Sequence, residues 1–336
     1  MLATDIDRDF VLSGICLGFP LVLDISEVSP ADECNYKSAL NCDTKPILDE
    51  LFREELLTQK LTEVQDKPLR IQAIGAVPKK DSAVPRPITD CSRPFGDSLN
   101  SYISTEKFSF VSVEAATALC KPGSFMAIVD IKSAYRAIPI LPQHRKLQGI
   151  RWQFTGDQLP RYLVDNFLCF GLSNAPGIFN RISCAIVRML DRAGIKCVSY
   201  LDDFLVIADT LEECQAAQMH LISLLLSLGL PINWGKLISP SQRVIFLGII
   251  IDTNLQRIEL PTDKLERLTD LASEYSLRRK VTKRELQIIV GHMTFASRAI
   301  FAARAFTRLF IDAMNQLEKP THTLRISAIL RNELIW

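Results

Sequence analysis

The sequence predicts an α+β fold, and three observations lead to this prediction. Residues 125–131 form a short apolar run that ends in an acid, which is typical of a buried strand. Residues 196–208 contain two short hydrophobic strands around Leu-Asp-Asp, as in a hairpin, and residues 174–190 carry apolar side chains at helical spacing. With 336 residues, the chain is long enough for two or three packed units.

Composition and charge restrict the class of protein. Hydrophobic residues make up 48% and charged residues 23% of the chain, which excludes a disordered or fibrous protein. The net charge is only +1, but residues 1–66 carry 14 acidic and 5 basic side chains, so the rest of the chain carries +10. A basic body favours a polyanionic partner, because Lys and Arg that neutralise phosphates release counterions. A solvated surface of mixed charge explains the same totals equally well.

Cysteine content and the length of apolar runs indicate the cellular compartment of the protein. Nine cysteines, an odd number without C-x-x-C spacing, favour a reducing environment, and the four histidines lack the spacing of a zinc site. No run of about 18 apolar residues occurs, and the first methionine is followed by Asp5, Asp7 and Asp9. We therefore expect an intracellular protein, in the cytoplasm, the nucleus or both, without a membrane partner.

Two patterns are prominent in the first hundred residues. A helix is expected over residues 44–57, where Thr44 can cap, Pro46 suits the first turn and apolar residues recur at helical spacing. Residues 72–94 contain prolines that forbid a long helix, together with basic side chains, and predict a basic hairpin.

The second half of the chain contains clear helix starts. Thr210-Leu-Glu-Glu213 and Thr282-Lys-Arg-Glu285 are capping boxes, and each predicts the beginning of a helix. Residues 244–251 are predicted to form another strand. Between residues 278 and 308, eight basic side chains stand against the single acid Glu285. The C-terminal unit is therefore predicted to be helical and strongly basic.

Three aspartates are the candidate catalytic residues. Asp130 ends a predicted strand, and Asp202 and Asp203 lie at the tip of the predicted hairpin. Clustered carboxylates repel one another unless cations lie between them, and Mg²⁺ prefers such hard oxygen ligands. Two ions about 3.5 to 4 Å apart can activate an attacking hydroxyl and stabilise a leaving oxygen in phosphoryl transfer. An isolated Asp-Asp pair is more often a simple polar turn.

The surrounding motifs favour the catalytic interpretation. In chain order they are Val77-Pro-Lys-Lys-Asp81 with Pro85-Arg-Pro-Ile-Thr-Asp90, Asp130-Ile-Lys-Ser-Ala-Tyr-Arg136, Phe170-Gly-Leu-Ser-Asn-Ala-Pro-Gly-Ile-Phe179, Tyr200-Leu-Asp-Asp203, Gly235-Lys236 and Phe246-Leu-Gly248. In this order they resemble the motifs of reverse transcriptases across roughly residues 70 to 310. The resemblance implies an RNA-directed DNA polymerase shaped as a right hand, with fingers, an antiparallel palm sheet and a helical thumb.

Within that family, the chain looks most like the enzymes of DIRS-type (tyrosine-recombinase) retrotransposons. This finer resemblance depends on three segments, which are Ser92-Arg-Pro-Phe-Gly-Asp-Ser-Leu-Asn100, Ser133-Ala-Tyr-Arg-Ala-Ile-Pro-Ile140 and Gly291-His-Met-Thr-Phe-Ala-Ser297.

The resemblance also implies the metal and its ligands. Asp130 and Asp202 would hold two Mg²⁺ ions, for which Mn²⁺ is an alternative. Asp203 would be an adjacent ligand, and the carbonyl of Ile131 would complete the coordination shell.

Nucleotide-binding residues follow from the same motifs. Arg86 and either Lys79 or Lys80 would bind the triphosphate of an incoming deoxynucleotide, and the sequence does not say which lysine does so. Lys236 would neutralise or protonate the leaving pyrophosphate.

Three further positions concern the sugar and base of the nucleotide. Tyr135 would exclude a 2′-hydroxyl, and the alternative is a core tyrosine. Gly171 would let the backbone approach the nucleotide closely. Phe170 stands where retroviral enzymes have a glutamine.

The expected partners are an RNA template and a DNA primer. The nucleic acid would contact Tyr200 and the motif Phe246, Leu247 and Gly248, and it would lie along basic residues of the thumb, which are Arg278, Arg279, Lys280, Lys283 and Arg284. Ribonuclease H or recombinase domains of the same element are further candidate partners.

The predicted organisation has four parts. Residues 1–66 form an acidic extension, residues 67–255 the fingers and palm, residues 256–315 the basic thumb, and residues 316–336 a tail that leads to a missing domain. Two alternatives stay open. One is a palm polymerase that makes RNA, and the other is a decayed or host-captured module that binds nucleic acid without catalysis.

Overall fold

The computed structural model describes residues 4–79, 82–105, 107–300 and 302–335. The chain forms two compact units. The first unit contains residues 1–110, 129–204 and 219–237, and the second contains residues 111–128, 205–218 and 238–336. The four sequence-based domain boundaries remain a prediction.

Helices are present in both units. In chain order they are α1 (Arg8–Leu17), α2 (Lys37–Leu40), α3 (Lys45–Leu57), α4 (Val113–Thr117), α5 (Ala175–Arg192), α6 (Leu211–Ser227), α7 (Thr262–Leu277), α8 (Lys283–Ala296), α9 (Ala303–Asn315) and α10 (Ala328–Ile335).

The strands of the chain pair mostly in an antiparallel sense, as expected for an α+β fold. They are β1 (Ala31–Asp32), β2 (Leu61–Val64), β3 (Arg70–Ile71), β4 (Ala73–Lys79), β5 (Ser82–Asp90), β6 (Phe125–Asp130), β7 (Gly149–Trp152), β8 (Arg161–Asp165), β9 (Lys196–Tyr200), β10 (Asp203–Ala208), β11 (Ile238–Ser241), β12 (Arg243–Phe246), β13 (Ile249–Asp252), β14 (Arg257–Glu259), β15 (Lys280–Thr282) and β16 (Thr323–Arg325).

The strands form several sheets. In the first unit, a five-stranded sheet has the order β1-β3-β7-β8-β2, and β4 and β5 form an antiparallel hairpin. In the second unit, β12-β13-β14 and β15-β16 are antiparallel sheets. A further sheet has the order β11-β6-β10-β9.

Local sequence signals explain most element boundaries. The basic hairpin predicted over residues 72–94 is β4 and β5, and the predicted strand at 125–131 is β6. Both capping boxes are present. Thr210 and Glu213 exchange side-chain to backbone bonds before α6, and Thr282 and Glu285 do so before α8.

Two details of the sequence prediction were wrong. Thr44 makes no side-chain cap to α3, and its own N–H donates instead to the Oδ1 of Asn41 at 2.7 Å. Residues 244–251 form two strands rather than one, because Leu247 (φ +50°) and Gly248 (φ +74°) make a tight turn between β12 and β13. Two successive positive φ angles are the signature of a hairpin turn that matches the twist of its strands.

Helix α3 is anchored in the core of the first unit by Asp49. This buried carboxylate accepts hydrogen bonds from Trp152 Nε1 (2.7 Å), from the backbone N–H of Thr155 (2.9 Å) and from Lys45 Nζ (3.0 Å). Phe52 of the same helix packs edge-on against Trp152, with ring centroids 4.9 Å apart. The helix predicted in the acidic extension is therefore part of the first unit's core.

The acidic start of the chain also packs within the first unit. Asp5 contacts Arg188 and Arg192 of α5 at 2.7 and 3.1 Å, and Asp7 contacts Arg188 and Arg181 at 2.7 and 2.8 Å. The hydrogen bonds from Arg188 hold the pKa of the Asp5 carboxyl well below its ordinary value. This segment is thus bound to α5 by complementary charge.

The second unit has its own helical core. Apolar residues of α7, α8, α9 and α10 pack together, among them Leu271, Ile289, Phe310 and Leu330. None of the helices in the described part of the chain combines the length and the apolarity needed to span a membrane.

Candidate active site

The three predicted catalytic aspartates meet at adjacent strand ends in the first unit. Asp130 is the last residue of β6, and Asp203 is the first residue of β10. Asp202 lies in the turn between β9 and β10, directly after Leu201, which has a left-handed φ of +53°. The backbone N–H of Ile131 donates to the carbonyl of Asp202 at 3.0 Å and ties the two strand ends together. A left-handed backbone at a residue such as Leu201 is common where side chains are held for function.

Asp130 is the most enclosed of the three, with only 3% of its surface exposed. Its Oδ1 accepts a hydrogen bond from Asn233 Nδ2 at 2.7 Å, and its Oδ2 lies 2.8 Å from Lys236 Nζ. The backbone N–H of Asn233 also donates to the Asp130 carbonyl at 2.8 Å. The hydrogen bond to Asp130 raises the pKa of Lys236. Asn233 was missed by the sequence analysis, because an asparagine three residues before a lysine has no pattern of its own.

The other two carboxyl groups are half-buried beside Asp130. Burial raises the pKa of Asp203 to about 7, with further contributions from a hydrogen bond to Asp130 and from the charge of Asp202. Burial also raises the pKa of Asp202. Among the described residues, no three His, Cys, Asp or Glu side chains are arranged to hold a metal ion as they stand. The two oxygens of Asp130 point to Asn233 and Lys236 instead.

A cleft of about 480 Å³ in the first unit brings many of the predicted residues together. Its lining includes Asp130, Asp202 and Lys236 on one side. Arg86, Tyr135 and Phe170 line the same cleft. The side chain of Lys79 and the whole of Lys80 lie outside the described residues.

Arg86, Phe170 and Tyr135 form a continuous stack along the cleft wall. The Arg86 guanidinium carbon lies 4.8 Å from the Phe170 ring centroid, and the Phe170 and Tyr135 centroids are 5.2 Å apart. Tyr135 also contacts Phe179 of α5, with a centroid distance of 6.0 Å. Burial and the charge of Asp202 raise the pKa of Tyr135 to about 12, so the phenol is neutral at physiological pH. The Arg86 guanidinium is thus held against an aromatic ring in the cleft wall by a cation–π contact.

Gly171 occupies a position that a side chain cannot share. Its φ is +126°, and a Cβ atom there would lie 1.8 Å from the carbonyl oxygen of Thr89 in β5. The N–H of Thr89 donates to the carbonyl of Phe170 at 3.0 Å. Gly171 therefore lets the segment after β8 pack directly against the β4–β5 hairpin.

Tyr200 belongs to a small aromatic cluster at the end of β9. Its ring centroid lies 4.8 Å from that of Phe110, which packs edge-on against Phe108 at 5.0 Å. The sequence analysis did not single out either phenylalanine, because they lie outside the six motifs.

In the second unit, the turn at Leu247 and Gly248 lies beside a cluster of cations and one aromatic ring. The space above Gly248 is filled by Lys264 of α7 and Phe295 of α8. Lys264 Nζ lies 4.1 Å from the Phe295 ring centroid, and the Arg298 guanidinium lies 5.5 Å from it. Sequence analysis missed Lys264, which is separated from Phe295 by thirty positions.

The basic thumb residues that were predicted to bind nucleic acid differ in their surroundings. Arg278 pairs with Glu274 and Glu285, and Lys283 donates to the carbonyls of Leu317 and Glu318. By contrast, three of the predicted residues are exposed, namely Arg279, Lys280 and Arg284.

Comparisons with known proteins agree with this geometry. The family model described as reverse transcriptase (RNA-dependent DNA polymerase) matches residues 77–251, which is just over half of the chain. The chain belongs to this family. The matched residues of this family member include the carboxylates, Lys236 and the Phe-Leu-Gly turn.

Individual relatives are distant and longer. The Gag-Pol polyprotein of avian reticuloendotheliosis virus is 23% identical over 198 residues, which cover 58% of this chain and 16% of the viral protein. The genome polyprotein of petunia vein clearing virus is 24% identical over 152 residues, covering 45% of this chain and 6% of the polyprotein. This reverse transcriptase family member therefore spans less than a fifth of the length of these relatives.

A solved structure supports the fold. The foamy viral protease-reverse transcriptase in complex with double-stranded DNA superimposes with a TM-score of 0.73, at 18% identity, over 94% of this chain and 50% of that one. The predicted right-hand polymerase fold of the α+β class is thereby confirmed.

Proposed function

We propose that the chain is an RNA-directed DNA polymerase that adds deoxynucleotides to the 3′-hydroxyl of a primer. The observation that carries this proposal is the meeting of Asp130, Asp202 and Asp203 at adjacent strand ends, with the first two in a cleft walled by Lys236 and Arg86. Family membership supports the same chemistry.

The donor set suits divalent metal ions. Asp130, Asp202 and Asp203 lie at adjacent strand ends. Burial and the neighbouring carboxylates raise the pKa of Asp203, and a cation placed among these groups would relieve their repulsion. Asp130 and Asp202 would hold two Mg²⁺ ions, with Mn²⁺ as an alternative, and Asp203 and the Ile131 carbonyl would be further oxygen ligands. When bound, these ions activate the primer hydroxyl and stabilise the leaving pyrophosphate. Lys236 would have to release Asp130 for this to happen.

The chain's own side chains would bind and orient the nucleotide. Arg86 presents a forked donor for phosphate oxygens and is held over the ring of Phe170. Lys236, once free of Asp130, would neutralise or protonate the pyrophosphate. Lys79 or Lys80 would add a further charge to the triphosphate.

Tyr135 and Gly171 would select the sugar. The Tyr135 ring is fixed between Phe170 and Phe179, so it cannot turn away from a 2′-hydroxyl without disturbing both neighbours. Gly171 has no side chain, so its backbone lies very close to the Thr89 carbonyl of β5. These features favour deoxynucleotides over ribonucleotides.

An RNA template and a DNA primer are the proposed partners. Solved foamy viral relatives are complexes with double-stranded DNA and with an RNA/DNA hybrid. In this chain, Tyr200 would contact the nucleic acid, and so would the Phe246-Leu247-Gly248 turn. Thumb residues would contact phosphates, namely Arg278, Arg279, Lys280, Lys283 and Arg284, together with Lys264 and Arg298 beside Gly248.

The proposal also covers the type of retroelement that encodes the chain and the cellular location of the protein. We infer a DIRS-type retrotransposon from the three segments quoted above, with ribonuclease H or recombinase domains of the same element as partners. The odd number of cysteines without C-x-x-C spacing supports an intracellular setting, in cytoplasm or nucleus.

Primer extension tests the proposed activity. Wild type and the Asp202→Asn/Asp203→Asn variant are compared on poly(rA)/oligo(dT) and on an RNA template of mixed sequence, with Mg²⁺ or Mn²⁺. Asp209→Asn serves as the matched control, because Asp209 follows the same hairpin and pairs with Lys121 away from the cleft. Extension by wild type and the control alone supports the proposal. Nucleic acid that is bound but never extended by wild type, with either metal, would contradict it and favour a binding module.

A further inference from the structure

Arg136 is a buried arginine beside the cleft that the proposed chemistry does not use. It follows Tyr135 directly, and both belong to the short 3-10 helix Ala134–Ala137. Only 11% of its side chain is exposed. A buried guanidinium is costly unless it is paired, so its partners indicate what it does.

The guanidinium bridges two carboxylates from separate elements. Nη1 donates to Asp165 Oδ1 at 2.6 Å, at the end of β8. On the other side, Nε donates to Glu55 Oε1 at 3.1 Å, and Nη2 lies 2.9 Å from Glu55 Oε2. Glu55 belongs to α3, and all three residues line the 480 Å³ cleft. One side chain therefore connects the helix that carries Tyr135 to α3 and to β8.

Asp165 also binds the backbone of the segment that leads to Phe170. Its Oδ1 also accepts the backbone N–H of Phe167 at 3.0 Å, which fixes the start of the irregular segment that leads from β8 to Phe170. In the Tyr135–Phe170 contact, Tyr135 thus directly precedes Arg136 in the chain, and Phe170 lies three residues after the backbone N–H that Asp165 binds.

The helix that carries Tyr135 cannot hold its position alone. It has four residues and begins after Ser133, whose φ of +52° is left-handed. A helix this short has few internal hydrogen bonds. A buried ion pair, moreover, contributes little net stability compared with apolar residues of similar size, and a geometric role is a better reason for it.

We propose that Arg136 is a positioning residue for nucleotide selection, which sets the Tyr135 ring against Phe170 through Glu55 and Asp165. This inference rests on the proposed polymerase function. Without the bridge, the Tyr135 ring gains room to move, and a ribonucleotide is admitted more readily.

Three variants test this role against a control on the same sheet. Arg136→Met removes the bridge, Arg136→Lys keeps the charge without the fork, and the triple variant Arg136→Met/Glu55→Gln/Asp165→Asn removes the bridge without leaving unpaired buried charges. Arg161→Met is the control, because Arg161 is an exposed residue of β8 that pairs with Asp157 and Glu63. The readout is the ratio of kcat/KM for a deoxynucleotide to kcat/KM for the matched ribonucleotide. Misfolded protein lowers both values equally and leaves the ratio unchanged.

The expected result is a fall in this ratio of about ten-fold or more in Arg136→Met and in the triple variant, a smaller fall in Arg136→Lys, and none in Arg161→Met. A folded triple variant that keeps the wild-type ratio would overturn the inference, whatever its absolute rate.

A second readout separates this inference from the polymerase proposal. A primer that ends in a dideoxynucleotide traps the next nucleotide without chemistry, and retention of the deoxy form over the ribo form is measured for each protein. The inference is supported if wild type retains the deoxy form in preference to the ribo form and the triple variant does not discriminate between them. Equal discrimination by wild type and the triple variant contradicts the role of Arg136 but leaves the polymerase proposal intact. A wild-type protein that neither extends a primer nor retains any nucleotide overturns both.

Discussion

Lys236 Nζ lies 2.8 Å from Oδ2 of Asp130, so the lysine of one motif neutralises the most buried carboxylate of another. The two residues are more than a hundred positions apart, and Asn233 completes the contact from the same short segment. The Lys236 side chain is still 63% exposed, which leaves it free to reach other partners. Lys236 therefore contacts the buried carboxylate while most of its side chain faces solvent.

Replacement of Lys236 by methionine should slow chemistry more than binding. The methionine keeps the length of the side chain but loses the charge and the proton, so kcat should fall by about 10² to 10⁴-fold with a smaller change in the KM for the nucleotide. Single-turnover primer extension measures this. Lys121→Met, which removes an exposed lysine paired with Asp209, is the control and should keep the wild-type rate. A Lys236→Met enzyme with unchanged kcat would exclude the role.

Tyr135→Ala should admit ribonucleotides. The substitution removes a ring that packs against Phe170 and Phe179. Under the proposed sugar-selection role, the vacated space would accept a 2′-hydroxyl. Relative incorporation of ribonucleotides should rise about ten-fold or more. Tyr135→Phe keeps the ring and loses only the hydroxyl, so it should retain the preference of the wild type. If wild type already prefers ribonucleotides in this assay, the chain makes RNA and the sugar-selection role is wrong.

The parts of this site that the sequence predicted are those fixed by local pattern. Two hydrophobic strands around Leu201-Asp202 indicated a hairpin, because side chains alternate with a period of two along a strand. Thr282 and Glu285 predicted the start of α8, since a capping box involves residues only three apart. The proximity of Asp130 to the hairpin was predicted from the resemblance to the reverse transcriptase family, not from periodicity.

Contacts distant in the sequence could not be predicted in this way. Residues 244–251 are apolar almost throughout, so only Gly248 hinted at the turn that divides them. The pairing of Lys264 with Phe295, and of Arg136 with Glu55, depends on how helices and strands pack, and no spacing along the chain encodes it. Arg278 looked like a free basic residue until its partners Glu274 and Glu285 were located.

Gly171→Ala should destabilise the protein strongly. A Cβ atom at this position would lie 1.8 Å from the Thr89 carbonyl oxygen, so backbone must move, and φ is already +126°. We expect a loss of about 3 kcal/mol or more in the free energy of unfolding, measured by urea denaturation. Gly96→Ala is the matched control, because Gly96 also has a positive φ (+87°) but no atom within 4 Å of the added Cβ. It should cost only about 1 to 2 kcal/mol. Similar losses in the two variants would refute the steric argument.

The contact between Asp5 and α5 should make stability depend on pH. The guanidinium of Arg188 holds the pKa of Asp5 well below its ordinary value, whereas the unfolded chain takes up a proton near pH 3.9. The contribution to stability is therefore complete above about pH 4 to 5 and is lost as pH falls below that range. Urea midpoints of wild type and Asp5→Asn should differ at pH 7, and the difference should shrink progressively as pH falls below about 4. Asp9→Asn, at a position whose side chain is 96% exposed, should match wild type throughout. A difference that stays constant with pH would contradict the assignment.

The cluster of Lys264, Phe295 and Arg298 should contribute to the salt dependence of binding to an RNA/DNA duplex. If Lys264 contacts a phosphate, Lys264→Met removes one ionic contact and should reduce the slope of log K against log salt by about one unit, with weaker binding to all sequences alike. Arg257→Gln is the control, since Arg257 also belongs to the second unit but pairs with Glu259. Fluorescence anisotropy over a series of salt concentrations gives both slopes.

The aromatic ring supplies a separate check. Phe295→Leu keeps both charges and should preserve the slope even if affinity falls. A slope that changes with Phe295→Leu but not with Lys264→Met would exclude Lys264 as a phosphate ligand.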